Sequence, residues 1–158
     1  MTRKILIITN ERDVTTDYIV QKLQFQNAKF YRLNTDQIGH KVKLTFDFQQ
    51  SRFTLFDEVT NEAIDLLRFT SVYFRRPEIA INSDTLTKGE ANFLRRELYS
   101  TLEGLYKILE EAYWLNRVQA IRNAENKIYQ LLLAQRIGFR IPATILTNKM
   151  QDGLNFYE

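Results

Sequence analysis

Two arginines stand side by side in SVYFRRP, residues 71–77, and they carry the clearest capacity for chemistry in the chain. A guanidinium is a planar fork of N–H donors that matches a carboxylate or a phosphate. The apolar residues before them spell a strand. Arg75 and Arg76 therefore fall at a carboxyl end, where open α/β sheets place their ligand crevice. Strand alternation predicts that the two side chains leave on opposite faces, so one at most enters a given crevice. The plainer reading is a pair of surface cations matched to Glu78 or another acid. Lys127 is a third candidate, on a helical stretch where a solvent-exposed lysine is the commonest role. Asn116 and Arg122, near a helix start, read as capping residues, and Trp114 reads as core.

Other chemistries are excluded by what is missing. With no cysteine there are no disulfides, thiolates or Cys-based zinc sites. His40 is the one histidine, and it reads as a loop residue because metal sites need several convergent ligands. The first strand-to-helix turn, TNERDVTTD, lacks the GxGxxG that lets a backbone approach a pyrophosphate. Neither GxxxxGK[ST] nor GxSxG occurs. Glu11 and Asp13 give one acidic turn, less than a response-regulator receiver needs.

These residues must be held by elements the sequence also spells. Residues 5–8 are four consecutive aliphatics, as in a strand buried on both faces of a parallel sheet. A helix over residues 15–26, stopped by Asn27, leads to a strand at 29–33, so a parallel β-α-β opening is predicted. Residues 42–48 and 52–56 alternate apolar and polar around a short turn and predict a hairpin, with a further piece near 62–66. Thr87 and Glu90 fit a capping box. It opens a helix whose stripe runs through Leu94, Leu98, Leu102, Leu105, Leu109 and Ala112. Residues 114–116 read as extended. A last helix carries Ala120, Ile121, Ala124, Ile128, Leu131 and Leu132 on one face and stops at Gly138. The fold class is α/β with a β-rich insert.

The 158 residues are 44% hydrophobic and 26% charged, a globular composition. No apolar run approaches the roughly 18 residues that cross a bilayer. The opening residues lack a signal peptide's length and cleavage site, so a cytoplasmic protein off the membrane is expected. The net charge of +3 comes from interleaved charges and gives nucleic-acid binding little support.

The stretch from Asn116 to Thr144 resembles the entry to the ATP-grasp domain of ligases related to ribosomal protein S6 glutamate ligase. The matching residues are Asn116, Ala124, Asn126, Lys127, Leu132, Leu133, Ala134, Gly138, Phe139, Ile141, Pro142 and Thr144. The segments ILIITNERD, FYRLNTD and VYFRRPE resemble a narrower group, the ATP-grasp peptide maturases of the microviridin or graspetide type. The resemblance implies an open, largely parallel, Rossmann-like sheet flanked by helices, with a β-hairpin insert. Residues 1–117 would form the pre-ATP-grasp domain. Residues 118–158 would form the entry helix and first strand of an ATP-grasp domain that continues beyond this chain. It implies an ATP- and magnesium-dependent ligase that activates a carboxylate of a ribosomally made precursor peptide as an acyl phosphate and forms an amide or ester. Arg75 or Arg76 would hold the substrate carboxylate and Lys127 would reach an ATP phosphate. The chain alone would be inactive, and apolar surface left uncovered would promote a homo-oligomer or leave the tail after about residue 147 unordered. The rival classes are a standalone peptide- or protein-binding module without catalysis and a small-molecule enzyme of flavodoxin-like shape.

Overall fold

The computed structural model describes residues 4–81 and 86–157, so the outermost residues of the 1–117 and 118–158 division lie outside it. The chain divides into two compact units, Met1–Val118 and Gln119–Glu158.

The first unit is built on a four-stranded sheet in the order β2-β1-β6-β7, comprising β1 Lys4–Thr9, β2 Lys29–Asn34, β6 Ser71–Phe74 and β7 Tyr113–Leu115. Every pairing in it is parallel. The aliphatic run of β1 lies at the centre, and Leu6, Ile7 and Ile8 are fully buried, as a strand covered on both faces requires. Helix α1, Val14–Phe25, makes the crossover to β2. Asp13 caps its start by accepting from Thr15 N, and Asn27 follows it at φ 52°, the left-handed position that stops a helix.

Between β2 and β6 the chain forms the antiparallel sheet β3-β4-β5, comprising Val42–Asp47, Arg52–Asp57 and Glu62–Asp65. Its register pairs Leu44 with Leu55 and Phe46 with Phe53, so the apolar positions share one face. Val42, Leu55 and Ile64 join the core of the parallel sheet, and Tyr31 Oη donates to Asp57 Oδ2 at 2.8 Å, tying β2 to β4.

Helix α2, Lys88–Ile108, opens on the reciprocal Thr87–Glu90 capping box. It buries Leu102, Leu105 and Tyr106, and Leu109 at its C-cap is buried as well. The sequence carried the helical stripe on to Ala112. The helix instead ends at Ile108, and Ala112 N bonds to Leu109 O in the turn leading to β7. Leu94 is exposed, so the stripe meets the core only over its carboxyl half. Trp114 packs as expected, edge-on to Tyr106, with its Nε1 donating to Leu109 O at 2.8 Å.

The last predicted helix is two helices. Helix α3, Val118–Glu125, ends before Asn126, whose side chain accepts from Tyr129 N and caps α4, Lys127–Arg136. An asparagine that bonds its own backbone competes with helix continuation, which explains the break. Gly138 follows α4 at φ 82°, the left-handed stop the sequence marks. Two expectations differ beyond it. The sequence predicts a first strand after Pro142, yet residues 139–147 pair with no strand among the described residues. A strand takes its hydrogen bonds from a neighbour, and the described part of this unit offers only helices. The tail is not unordered, because α5 spans Met150–Tyr157.

Candidate functional site

The connection from β1 leaves through α1 to β2 on one side, while β6 lies on the other. The switch point of the parallel sheet is therefore between the carboxyl ends of β1 and β6. Both arginines are there, just past the end of β6 at Phe74. What occupies this end of the sheet is a polar network made by the chain itself.

Its centre is Asp13, almost fully buried. One carboxylate oxygen accepts from Thr9 Oγ1 at 2.9 Å and Thr16 Oγ1 at 2.8 Å, and the other from Thr15 N at 3.1 Å. Arg75 Nε lies 3.2 Å from Oδ2, and Arg75 Nη2 donates to Thr15 Oγ1 at 3.1 Å. Burial pushes the Asp13 carboxyl up, but the donors Thr16, Thr9 and Arg75, with the Arg75 charge, outweigh it and hold the group below the ordinary carboxylate value. Arg75 is thus an internal tie between the exit of β6 and the start of α1.

Around this pair the exits of three strands are sewn together. Thr35, just after β2, is buried. Its hydroxyl lies 3.1 Å from Thr9 O and 2.7 Å from Glu78 O, and it accepts from Glu78 N at 2.8 Å. Arg32 donates to Asn10 O at 2.9 Å and to Asn34 Oδ1 at 2.8 Å, and pairs with Asp17. Glu11 accepts from Gln37 Nε2 at 2.9 Å. Among the described residues no buried side-chain nitrogen or oxygen lacks a partner, so the buried part of this network is satisfied by the protein's own groups.

Arg76 differs from Arg75. It is exposed, and among the described residues nothing hydrogen-bonds or ion-pairs with its guanidinium. Its backbone has φ 45°, an uncommon conformation for a residue with a side chain and one that departs from the extended preference of a residue preceding proline. Its carbonyl accepts from Asn10 Nδ2 at 2.7 Å. Strand alternation therefore does not govern the two arginines. They lie beyond the last paired residue, and the left-handed turn, not the pleat, separates them. Lys127 lies in the second unit, on the first turn of α4, where its Nζ donates to Gln130 Oε1 at 3.2 Å. Nearby Asn123, Asn126 and Tyr129 line an open cavity of about 340 Å³. Among the described residues no group of three or more His, Asp or Glu side chains is placed to hold a metal ion. Sequence reasoning missed Asn10 and Thr35, and weighed Asp13 only as part of an acidic turn. The available signal was a run of short polar residues directly after a strand buried on both faces.

The model of the MvdD pre-ATP grasp domain matches residues 4–122, and the chain belongs to that family. The relation shows in solved structures. The chain is 30% identical to the macrocyclase MdnB from Microcystis aeruginosa MRC, with a TM-score of 0.87 over 98% of this chain and 51% of that one. It is also 30% identical to a RiPP-associated ATP-grasp ligase from Chryseobacterium gregarium, solved with ADP and a leader and core peptide. There the TM-score is 0.77, over 98% of this chain and 47% of that one. The macrocyclase MdnC from Microcystis aeruginosa MRC, bound with its precursor peptide MdnA, shares the fold at 21% identity and a TM-score of 0.86, over 97% of this chain and 50% of that one. The chain spans about half the length of each of these structures. No curated protein matches it. The expected fold, an α/β sheet with a hairpin insert of the pre-ATP-grasp kind, is the one observed.

Proposed function

We propose that the chain is the pre-ATP-grasp part of an ATP-dependent carboxylate ligase that forms amide or ester bonds in a ribosomally made precursor peptide. The observation that carries this reading is the family match, together with 30% identity to a macrocyclase and to a ligase solved with ADP and its peptide. In this reading residues 1–117 form the pre-ATP-grasp domain, and 118–158 lead into an ATP-grasp domain in the rest of the protein. A peptide carboxylate oxygen attacks the γ-phosphorus of ATP and ADP leaves. An amine nitrogen or hydroxyl oxygen then attacks the acyl carbon, and inorganic phosphate leaves with one carboxylate oxygen.

Phosphoryl transfer of this kind depends on positioning and on stabilising charge. Arg76 is the residue we assign to the substrate carboxylate, because its fork is exposed and has no partner among the described residues, while that of Arg75 is tied to Asp13. Lys127, on the first turn of α4, is assigned to an ATP phosphate. The ligase reading also calls for magnesium, and we assign none of its ligands to a residue of this chain. No helix of the described residues is long and apolar enough to cross a membrane, and we place the reaction in the cytoplasm.

The test uses the whole protein, Mg-ATP and a candidate precursor peptide that carries acidic side chains with lysines or hydroxyl residues. Mass spectrometry is expected to show the peptide losing one water for each bond made, with one ADP released per water lost. ADP release with no change in peptide mass, or peptide dehydration without ATP, would contradict the reading.

A further inference from the structure

Asn10 is 4% exposed and stands where the chain leaves β1. Its side-chain amide reaches two backbones at once. Nδ2 donates to Arg76 O at 2.7 Å and lies 3.4 Å from Glu78 Oε1, while Oδ1 accepts from Arg12 N at 2.9 Å. Arg12, like Arg76, is exposed, and among the described residues nothing engages its guanidinium. One buried amide therefore bonds to the backbones of two arginines, neither with a guanidinium partner among the described residues, in the loops that follow β1 and β6.

The backbone at Arg76 shows that this clamp has consequences. A left-handed residue with a side chain persists only where its surroundings hold it there. The surroundings here are the Asn10 bond to its carbonyl and the Thr35 bonds that fix Glu78 two residues on. Without the Asn10 donor, residue 76 is free to return to the extended backbone that Pro77 favours, and its side chain would leave from a different direction.

We infer that Asn10 is a positioning residue that sets Arg12 and Arg76 as a pair for one substrate carboxylate. The inference rests on the assignment of Arg76 to that carboxylate. Two forks give a carboxylate more donors than one, and a fixed backbone lowers the ordering needed on binding. Asn10 touches no substrate itself.

The experiment compares N10A, N10S, R76A, R12A/R76A and N10A/R12A/R76A in the whole protein, reading peptide KM and kcat separately with the same precursor peptide and Mg-ATP. R76A is expected to raise KM about ten- to a hundredfold, the effect of one charge-assisted pair. N10A should raise KM to a similar extent, N10S less, because serine keeps a short polar group there. The triple variant should be no worse than R12A/R76A, because a positioning residue has nothing left to position. If N10A fails to fold, N10S carries the comparison, in the N10S/R12A/R76A background. A full additional loss in the triple variant would make Asn10 a structural residue and overturn the inference. So would an unchanged KM in N10A and N10S beside a raised KM in R76A, which would leave the carboxylate assignment standing. An unchanged KM in R76A would overturn the assignment and the inference together.

Discussion

Alanine at position 76 lowers the rate at which the whole protein modifies its precursor peptide by about ten- to a hundredfold, with the melting transition unmoved. The size follows from one charge-assisted hydrogen-bonded pair, roughly 1.5–3 kcal/mol, at about 1.4 kcal/mol per factor of ten. Folding survives because the Arg76 side chain makes no bond among the described residues, and its exposure means that truncation opens no cavity. The tie to Asn10 runs through the carbonyl, which alanine keeps. Lysine should rescue poorly, since it restores the charge without the fork. Steady-state rates of R76A and R76K beside their melting curves check this. Full activity in R76A would move the carboxylate site elsewhere.

Replacing Asp13 should have the opposite pattern, with stability lost before any question of catalysis arises. Its carboxylate gathers Thr9, Thr16, Thr15 N and Arg75 in a buried position. Alanine removes the acceptor those donors share and leaves only the longer Thr16–Thr9 hydroxyl contact and the Arg75 bond to Thr15 Oγ1. Breaking a buried hydrogen-bonded charge pair on one side costs about 3 kcal/mol, which in a protein of this size lowers the melting temperature by roughly 10 °C. The same carboxylate sets an acid limit. Its folded-state pKa lies below the ordinary aspartate value of 3.8, so the unfolded chain takes up the proton first. The stability it confers is complete well above 3.8 and is lost as pH falls from that value through the lower folded one. Asp57 is also held low, since the Tyr31, Thr60 and Val59 donors outweigh a burial effect that acts to raise it, and it adds a second increment of the same sign. Denaturant titrations at pH 7 and pH 3 should show a stability difference in the wild type that shrinks in D13N without vanishing. An Asp13→Ala protein as stable as the wild type would contradict the network's role.

Much of this arrangement could be read from residue order. The four aliphatics of β1 and the alternation of β3 and β4 announced their environments, because burial on two faces or one leaves different periodicities. Asn27 and Gly138 marked helix ends because few residues tolerate the left-handed backbone found at both. The site was legible only in its location. Periodicity continued smoothly across Asn126, and the cap that splits α3 from α4 is a local side-chain choice. The different fates of Arg75 and Arg76 depend on Asn10 and Asp13, more than sixty residues earlier, and on a positive φ that no pattern signals before proline.

The central claim is that the whole protein joins a peptide carboxylate to a nucleophile through an acyl phosphate, and oxygen transfer tests it most directly. The precursor peptide is made with 18O in its side-chain carboxylates and incubated with the whole protein and unlabelled Mg-ATP. The inorganic phosphate is then weighed by mass spectrometry. The account predicts one 18O in the phosphate for every bond formed in the peptide. Unlabelled phosphate accompanying a correctly dehydrated peptide would contradict it, because the carboxylate oxygen would then have left by a route that never bonded it to phosphorus.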